Sequence, residues 1–293
     1  MEYYSSKEIA PGVIRITDCS VTCMYLVIGE EKAAVLDTGV GCGNLLDYIR
    51  TLTDRPLICL ISHGHVDHAM GAGVFDTAYM SHEDAYVYEE HKKIAFRKQY
   101  ARLFQITRGL RGVGFLLGHP EWEQTREMDA FEELHIGDTF DLGGEIIEVC
   151  PGKGHTKGNV TFLLQNHRLL MTGDACNTNV FLYDWYSASV EEYLEAMKQL
   201  KERVDGRYDK ILLCHGNDAS LTQQPGLIEG AIWLCEAIMD GRDKRIHTRQ
   251  FGGVTAYSTK KPGKPEEDIG DHSLCSILYN IDRIRKQDSP EQQ

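Results

Sequence analysis

The chain has 293 residues, 42% apolar and 26% charged, a balance that excludes wholesale disorder and suits one large α/β unit. A formal charge of −13 argues against broad nucleic-acid binding, which draws on a basic surface. No run of about 18 uncharged apolar residues occurs, so no membrane span is expected, and MEYYSSKEIAPG lacks the basic-then-apolar pattern of an export signal. The nine cysteines, an odd number without C-x-x-C pairs, fit reduced, buried thiols and a cytoplasmic location.

In chain order, VIRIT (13–17), MYLVIG (24–29) and AAVLD (33–37) read as strands, the latter two joined by a Gly-Glu-Glu-Lys turn. Leu45, Tyr48 and Ile49 fall at helical spacing, and the buried run LICLIS (57–62) follows Pro56. Residues 82–117 read as mostly helical, with Phe96, Tyr100, Leu103 and Phe104 on one face. From His91 to Gly118 there are seven Lys or Arg and no acid, whereas Glu121 to Glu133 holds six acids. Such a stretch is either a solvated helix paired with its acidic neighbour or a lid that recruits an anionic substrate. Further strands are expected in TFDLGGEIIEVC (139–150), NVTFLLQ (159–165), RLLMTGD (168–174) and ILLCHG (211–216). Ser189, with Glu192 three residues on, caps a helix to about Arg203. The tail holds a helix at about 225–240 and two strand candidates, FGGVTAYST and LCSILYN, expected to form an appended hairpin near the pocket. Without repeats or a long linker, residues 1–293 are expected to form one domain. Its core is about 10–216, with a helical insertion at about 75–134 and a C-terminal helix-and-strand extension at 217–293.

The stretch S-H-G-H-V-D-H (62–68) sets three imidazoles and a carboxylate directly after a buried run. Three matching residues lie far along the chain: His155 in GKGHTKGN, Asp174 in LLMTGDA and His215 in ILLCHG. In open α/β architectures the ligand site lies at the carboxyl ends of strands, and such ends deliver His63, His65, Asp67, His68, His155, Asp174 and His215 to one rim. Five imidazoles and two carboxylates packed together call for a compensating cation. Lone histidines such as His82, His91, His119, His135, His167, His247 and His272 are expected to satisfy local hydrogen bonds instead.

SHGHVDH, GHT, GDA and CHG in this order, after the early VLDTG strand, resemble the metallo-β-lactamase superfamily over roughly residues 10–216. The resemblance implies a four-layer αββα sandwich with a dinuclear site at one edge between the sheets, and here a helical insertion after the first metal motif. It also implies that His63, His65 and His155 bind one metal and Asp67, His68 and His215 a second, with Asp174 bridging. Two divalent ions are expected, zinc by the donor set, with iron and manganese as alternatives. Such a pair supplies a metal-bound hydroxide and polarises a carbonyl. Asp67 serves as ligand and orienter, so Asp67 and Asp174 are the expected catalytic carboxylates, while Asp37 supports the metal loop.

Departures narrow the branch. The flavodiiron branch carries Glu where His65 stands, and dinuclear β-lactamases carry Cys or Ser where Asp174 stands. Aspartate there resembles glyoxalase II-type thioesterases, lactonases and phosphodiesterases. The expected activity is hydrolysis of a small, anionic or neutral ester, thioester or lactone. Phosphodiester or phosphonate cleavage, an iron-dependent redox enzyme and a non-catalytic ligand-sensing module are the alternatives. Tyr183 or Tyr186 is a candidate oxyanion donor, Lys157 and Asn159 candidate contacts to an anionic group, and Cys176 a packing residue. The partner is a small-molecule substrate. The apolar face around Phe96 and Phe104 is read as a lid or a homodimer contact.

Overall fold

The structure, a computed structural model, describes residues 3–107, 120–216, 222–223, 225–250, 255–259 and 275–286, without the side chains of 104–107 and 223. The side chain of Phe104, and His119, His272, residues 251–254 and the basic stretch beyond 107, therefore lie outside what is described. The first sheet runs in chain order: β1 (Ser5–Ala10), β2 (Val13–Thr17), β3 (Cys23–Ile28), β4 (Ala33–Leu36), β5 (Leu57–Leu60), β6 (Ala78–Met80) and β7 (Glu132–Glu133). The second contains β8 (Thr139–Asp141), β9 (Ile146–Pro151), β10 (Val160–Leu164), β11 (Leu169–Met171), β13 (Lys210–Leu212) and β14 (Thr222–Gln223), in the order β14-β13-β11-β10-β9-β8.

The period-2 pattern of these strands builds the layers. On β3 and β4, Tyr25, Val27, Ala34 and Leu36 meet Val149, Phe162 and Met171 of the second sheet. The alternate residues Met24, Leu26, Ala33 and Val35 pack outward with Leu45 and Ile49 of α1 (Leu45–Arg50) and Tyr88 of α2 (Ala85–His91). On the far side, Cys150, Leu163, Leu170 and Ile211 pack against α4 (Val190–Val204) and α5 (Leu227–Met239). The result is the expected αββα order. Both faces of each sheet are covered, which is why the central strands read as continuous apolar runs.

Ser189 and Glu192 form the expected capping box, each backbone N–H held by the other's side chain at 3.2 and 3.0 Å. Other expectations need correction. The polar segment SSKEIA forms the edge strand β1, whose outward side chains carry no apolar signal. The insertion is narrower than 75–134, because β6 and β7 belong to the first sheet. The helical region breaks after His91, and α3 (Ile94–Thr107) begins two residues after Lys92. Its buried face is Arg97 and Ala101, whereas Phe96 is 40% exposed. Arg97 faces inward because its guanidinium donates to the carbonyls of Val40, Gly41 and Glu123, fastening α3 to the loop after β4. Lys92 pairs with Glu89 and Glu127, and Lys93 with Glu90, so this part of the basic stretch is the solvated, acid-paired helix.

The tail strands also differ. β16 (Thr255–Ser258) and β17 (Ser276–Tyr279) do pair antiparallel, within the described parts of FGGVTAYST and LCSILYN. They belong to a third sheet with β15 (Ile246–Arg249) and with β12 (Asn179–Leu182), a segment whose sequence reads as loop.

Glu123 braces the start of α1, its Oε1 accepting the Leu45 N–H at 2.6 Å, while Oε2 is buried without a partner among the described residues. Burial pushes its carboxyl from 4.5 up to about 7, with the Leu45 N–H and Arg97 opposing. The folded state therefore holds this proton more tightly than the unfolded chain. The associated stability is complete below pH 4.5 and is lost as pH rises to about 7. At about 1.4 kcal/mol per unit, the loss is roughly 3–4 kcal/mol. Glu123→Gln is expected to flatten that part of the pH–stability curve and to exceed the parent above pH 7. Denaturant titrations of both proteins across this range measure the difference.

Candidate metal centre

Strand direction brings the seven residues together. β4 and β5 are parallel, as are β11 and β13, and β9 runs in the same direction as β11 because each is antiparallel to β10. The carboxyl ends of β5, β9, β11 and β13 then open at shared edges and lead to 62–68, His155, Asp174 and His215 respectively. The two sheets are tied at this edge by Val160 N–H to Ser62 O (2.9 Å) and Cys23 N–H to Cys214 O (2.8 Å).

His63 Nε2 and His155 Nε2 stand 3.1 and 2.9 Å from His65 Nδ1. In the second group, His68 Nε2 lies 3.2 Å from His215 Nε2, with Asp67 Oδ2 3.8 and 3.5 Å from them. Asp174 sits between: Oδ2 is 3.5 Å from His155 Nε2 and 3.6 Å from His68 Nε2, and Oδ1 is 3.3 Å from His215 Nε2. Ligands at ~2.0–2.1 Å in a tetrahedron stand about 3.3 Å apart, so both groups have the separations of donors sharing a cation.

The outer contacts show which ring nitrogens carry protons. His155 Nδ1 donates to the Phe181 carbonyl at 3.0 Å, an acceptor only. His68 Nδ1 donates to Asp37 Oδ2 at 2.8 Å. Ser62 Oγ gives its one hydrogen to Asp37 Oδ2 (2.8 Å), so at 3.0 Å it must accept from His63 Nδ1. In the neutral ring, each of these three therefore turns Nε2 inward as the nitrogen left to hold a cation. His63 Nε2 and His155 Nε2 both bear on the one His65 Nδ1, which has at most one hydrogen to give, so one of them is left for a cation, and the donor set fits divalent metal. Burial, then the neighbouring imidazoles, push His63 and His65 well below the usual histidine range. Burial opposes charge on His68 as well, but Asp67 and Asp37 outweigh it and push that ring well above. For Asp174, burial is outweighed by His215 and His68, which hold it well below the carboxylate range.

Asp37 stands at the end of β4 with φ 63°, and its Oδ1 also accepts the Ser62 N–H at 2.7 Å. That is the expected support of the metal loop. The sequence gives no such signal for Asp84, a fully buried carboxylate accepting from Gly64 N–H (2.9 Å), Thr156 Oγ–H (2.6 Å) and Gly158 N–H (2.7 Å). It joins the SHGHVDH loop to the His155 loop. Its one hint is its place in S-H-E-D, a helix-start pattern. His91, expected to serve locally, stacks between His65 and Phe96 with ring centroids 4.9 and 4.5 Å away, and accepts the Val66 N–H at 3.2 Å.

Other expectations resolve as follows. Tyr186 does lie against the cluster, its ring 5.0 Å from that of His65. Burial and Asp184 keep its phenol protonated far above the ordinary range. Tyr183 packs on Phe181. Asn159 has no free donor for an anionic group, because its Nδ2 donates to the carbonyls of Ser62 and Val160, whereas Lys157 is exposed. Cys176 packs in the core as expected. Asp84→Ala leaves three buried donors unpaired, and metal affinity is expected to fall 10- to 100-fold, as for other groups that orient ligands. Chelator competition measures it, and unchanged affinity would refute the brace.

The model of the metallo-beta-lactamase superfamily matches residues 16–215. The acyl-coenzyme A thioesterase MBLAC2 of Homo sapiens is 25% identical over 239 residues, covering 74% of this chain and 82% of that protein. The hydroxyacylglutathione hydrolase GloC of Haemophilus influenzae is 24% identical over 162 residues, covering 55% and 69%. Among solved structures, a metallo-beta-lactamase from Pontibacter korlensis superposes with TM-score 0.55 at 21% identity, covering 79% of this chain and 98% of the other. That likeness concerns the fold alone. The matched segment contains all seven clustered residues, and the chain belongs to the metallo-beta-lactamase superfamily.

Proposed function

We propose that this member of the superfamily hydrolyses a small thioester, or a related ester or lactone, at a centre of two divalent cations, zinc by the donor set. The observation that carries the proposal is the set of ring nitrogens and carboxylate oxygens converging on two adjoining points with the Asp174 carboxylate between them. Divalent cations at such a centre supply Lewis acidity toward a carbonyl oxygen and lower the pKa of a bound water. His63, His65 and His155 would hold one cation and Asp67, His68 and His215 the other, with Asp174 shared. Asp67 Oδ2 is engaged by Tyr100 and Thr22, at 2.6 and 3.2 Å. Its Oδ1, free of donors among the described residues, is the oxygen left to orient the attacking water. His91 and Tyr186 pack against the His65 ring and limit water on that side.

The thioester preference draws on the named activities of the relatives and on aspartate at 174. Phosphoester cleavage was motivated by the basic stretch after His91. Lys92, Lys93 and Arg97 are committed to carboxylates and carbonyls, which weakens that motive.

Chelation should abolish turnover and divalent metal should restore it. His65→Ala and Asp174→Ala should lose metal and at least about 1000-fold in kcat/KM while keeping the fold, in the range expected when electrostatic stabilisation is removed. A panel of thioesters, oxyesters, lactones and phosphodiesters tests the chemistry. Faster turnover of the phosphodiesters, or a metal-loaded Asp174→Ala protein of parental activity, would overturn the proposal.

A further inference from the structure

Helix α3 of the insertion reaches the cluster through Tyr100. Tyr100 of α3 donates its phenolic hydrogen to Asp67 Oδ2 at 2.6 Å, across 33 residues of sequence. The same oxygen accepts from Thr22 Oγ1 at 3.2 Å, and it is the Asp67 oxygen that faces His215 and His68. Both donors stand on segments that are themselves fastened. Thr22 belongs to a loop organised by buried Asp18, whose carboxylate accepts the N–H groups of Ser20, Thr22 and Val40. In that loop Val21 adopts φ 70°, a costly conformation for a β-branched residue. Tyr100 is held by α3, one turn beyond Arg97 and its carbonyl contacts to the loop after β4.

Two donors on one carboxylate oxygen define its direction. A carboxylate next to a cation can otherwise rotate and exchange its oxygens, or bind through both. Strong hydrogen bonds to Oδ2 set the rotamer of Asp67 and leave Oδ1 without a hydrogen-bond donor among the described residues. We propose that Tyr100 is a positioning residue for Asp67, with Thr22 as its weaker companion. Through it α3 acts on the second half of the cluster, Asp67, His68 and His215, whereas Asp84 and His91, earlier in the insertion, serve the His65 and His155 side. The inference rests on the two-cation proposal above.

The test uses the full chain. Chelator competition counts the binding steps in the parent, and Asp67→Asn identifies the step that depends on Asp67. Tyr100→Phe keeps the ring and removes one oxygen. It is expected to weaken that step by about 10-fold or more and to leave the other within about 2-fold, as for other groups that orient a ligand. The visible absorption of the cobalt(II)-loaded chain should change with it, which a packing effect would not produce. Thr22→Val should weaken the same step by less. Equal constants in parent and Tyr100→Phe overturn the proposal. Weakening of both steps alike, with a lowered thermal midpoint, also overturns it, since Tyr100 would then serve packing alone. A single step in the parent overturns the two-cation proposal only, because the ratio at the Asp67-dependent step still decides the role of Tyr100.

Discussion

The centre depends on proton placement enforced from outside it. Asp37 collects the Ser62 N–H, the Ser62 hydroxyl and the His68 Nδ1–H, and through Ser62 it also sets the tautomer of His63. One buried carboxylate thus directs the Nδ1–H of two imidazoles outward and leaves Nε2 as the inward atom of each ring. Its backbone sits at φ 63°, where an aspartate is tolerated better than a branched residue because its short side chain can bond locally. The conformation turns the chain out of β4 while aiming the carboxylate back at the loop after β5.

Asp84 performs a complementary task at the other end. It holds the loop of His63 and His65 to the loop of His155 rather than any one ring, accepting from Gly64 of one loop and from Thr156 and Gly158 of the other. The glycine positions matter for a steric reason: a Cβ at Gly158 would come within 2.8 Å of Asp84. Backbone and carboxylate approach too closely there for any other residue.

The third sheet bears on the centre indirectly. His155 donates to the carbonyl of Phe181, and Phe181 lies on β12, whose one partner among the described strands is β17 from the far end of the chain. The tail is therefore coupled to the first histidine group by backbone pairing. No periodicity signals this, because β12 is a short segment embedded in CNTNVFLYDWY and its pairing is contributed by residues about a hundred positions away.

The sequence by itself determined the types of candidate donor, their spacing and the strand ends that carry them. Local apolar runs mark parallel strands buried on both faces, and polar groups placed directly after such runs stand at a sheet edge whatever the detailed packing. The seven clustered residues and the Asp37 support were legible for that reason, as was the Ser189 capping box, which is complete within four residues. Tertiary structure alone decided the rest. Which face of α3 turns inward depends on carbonyls in a loop more than fifty residues earlier, so Arg97 is buried although a guanidinium reads as exposed. Asp84, His91 and Tyr100 likewise look like ordinary helix residues, and their roles arise only from groups that become neighbours on folding. Hydrogen-bond partners distant in sequence leave no periodic trace, so the residues that orient the ligands were less visible than the ligands themselves.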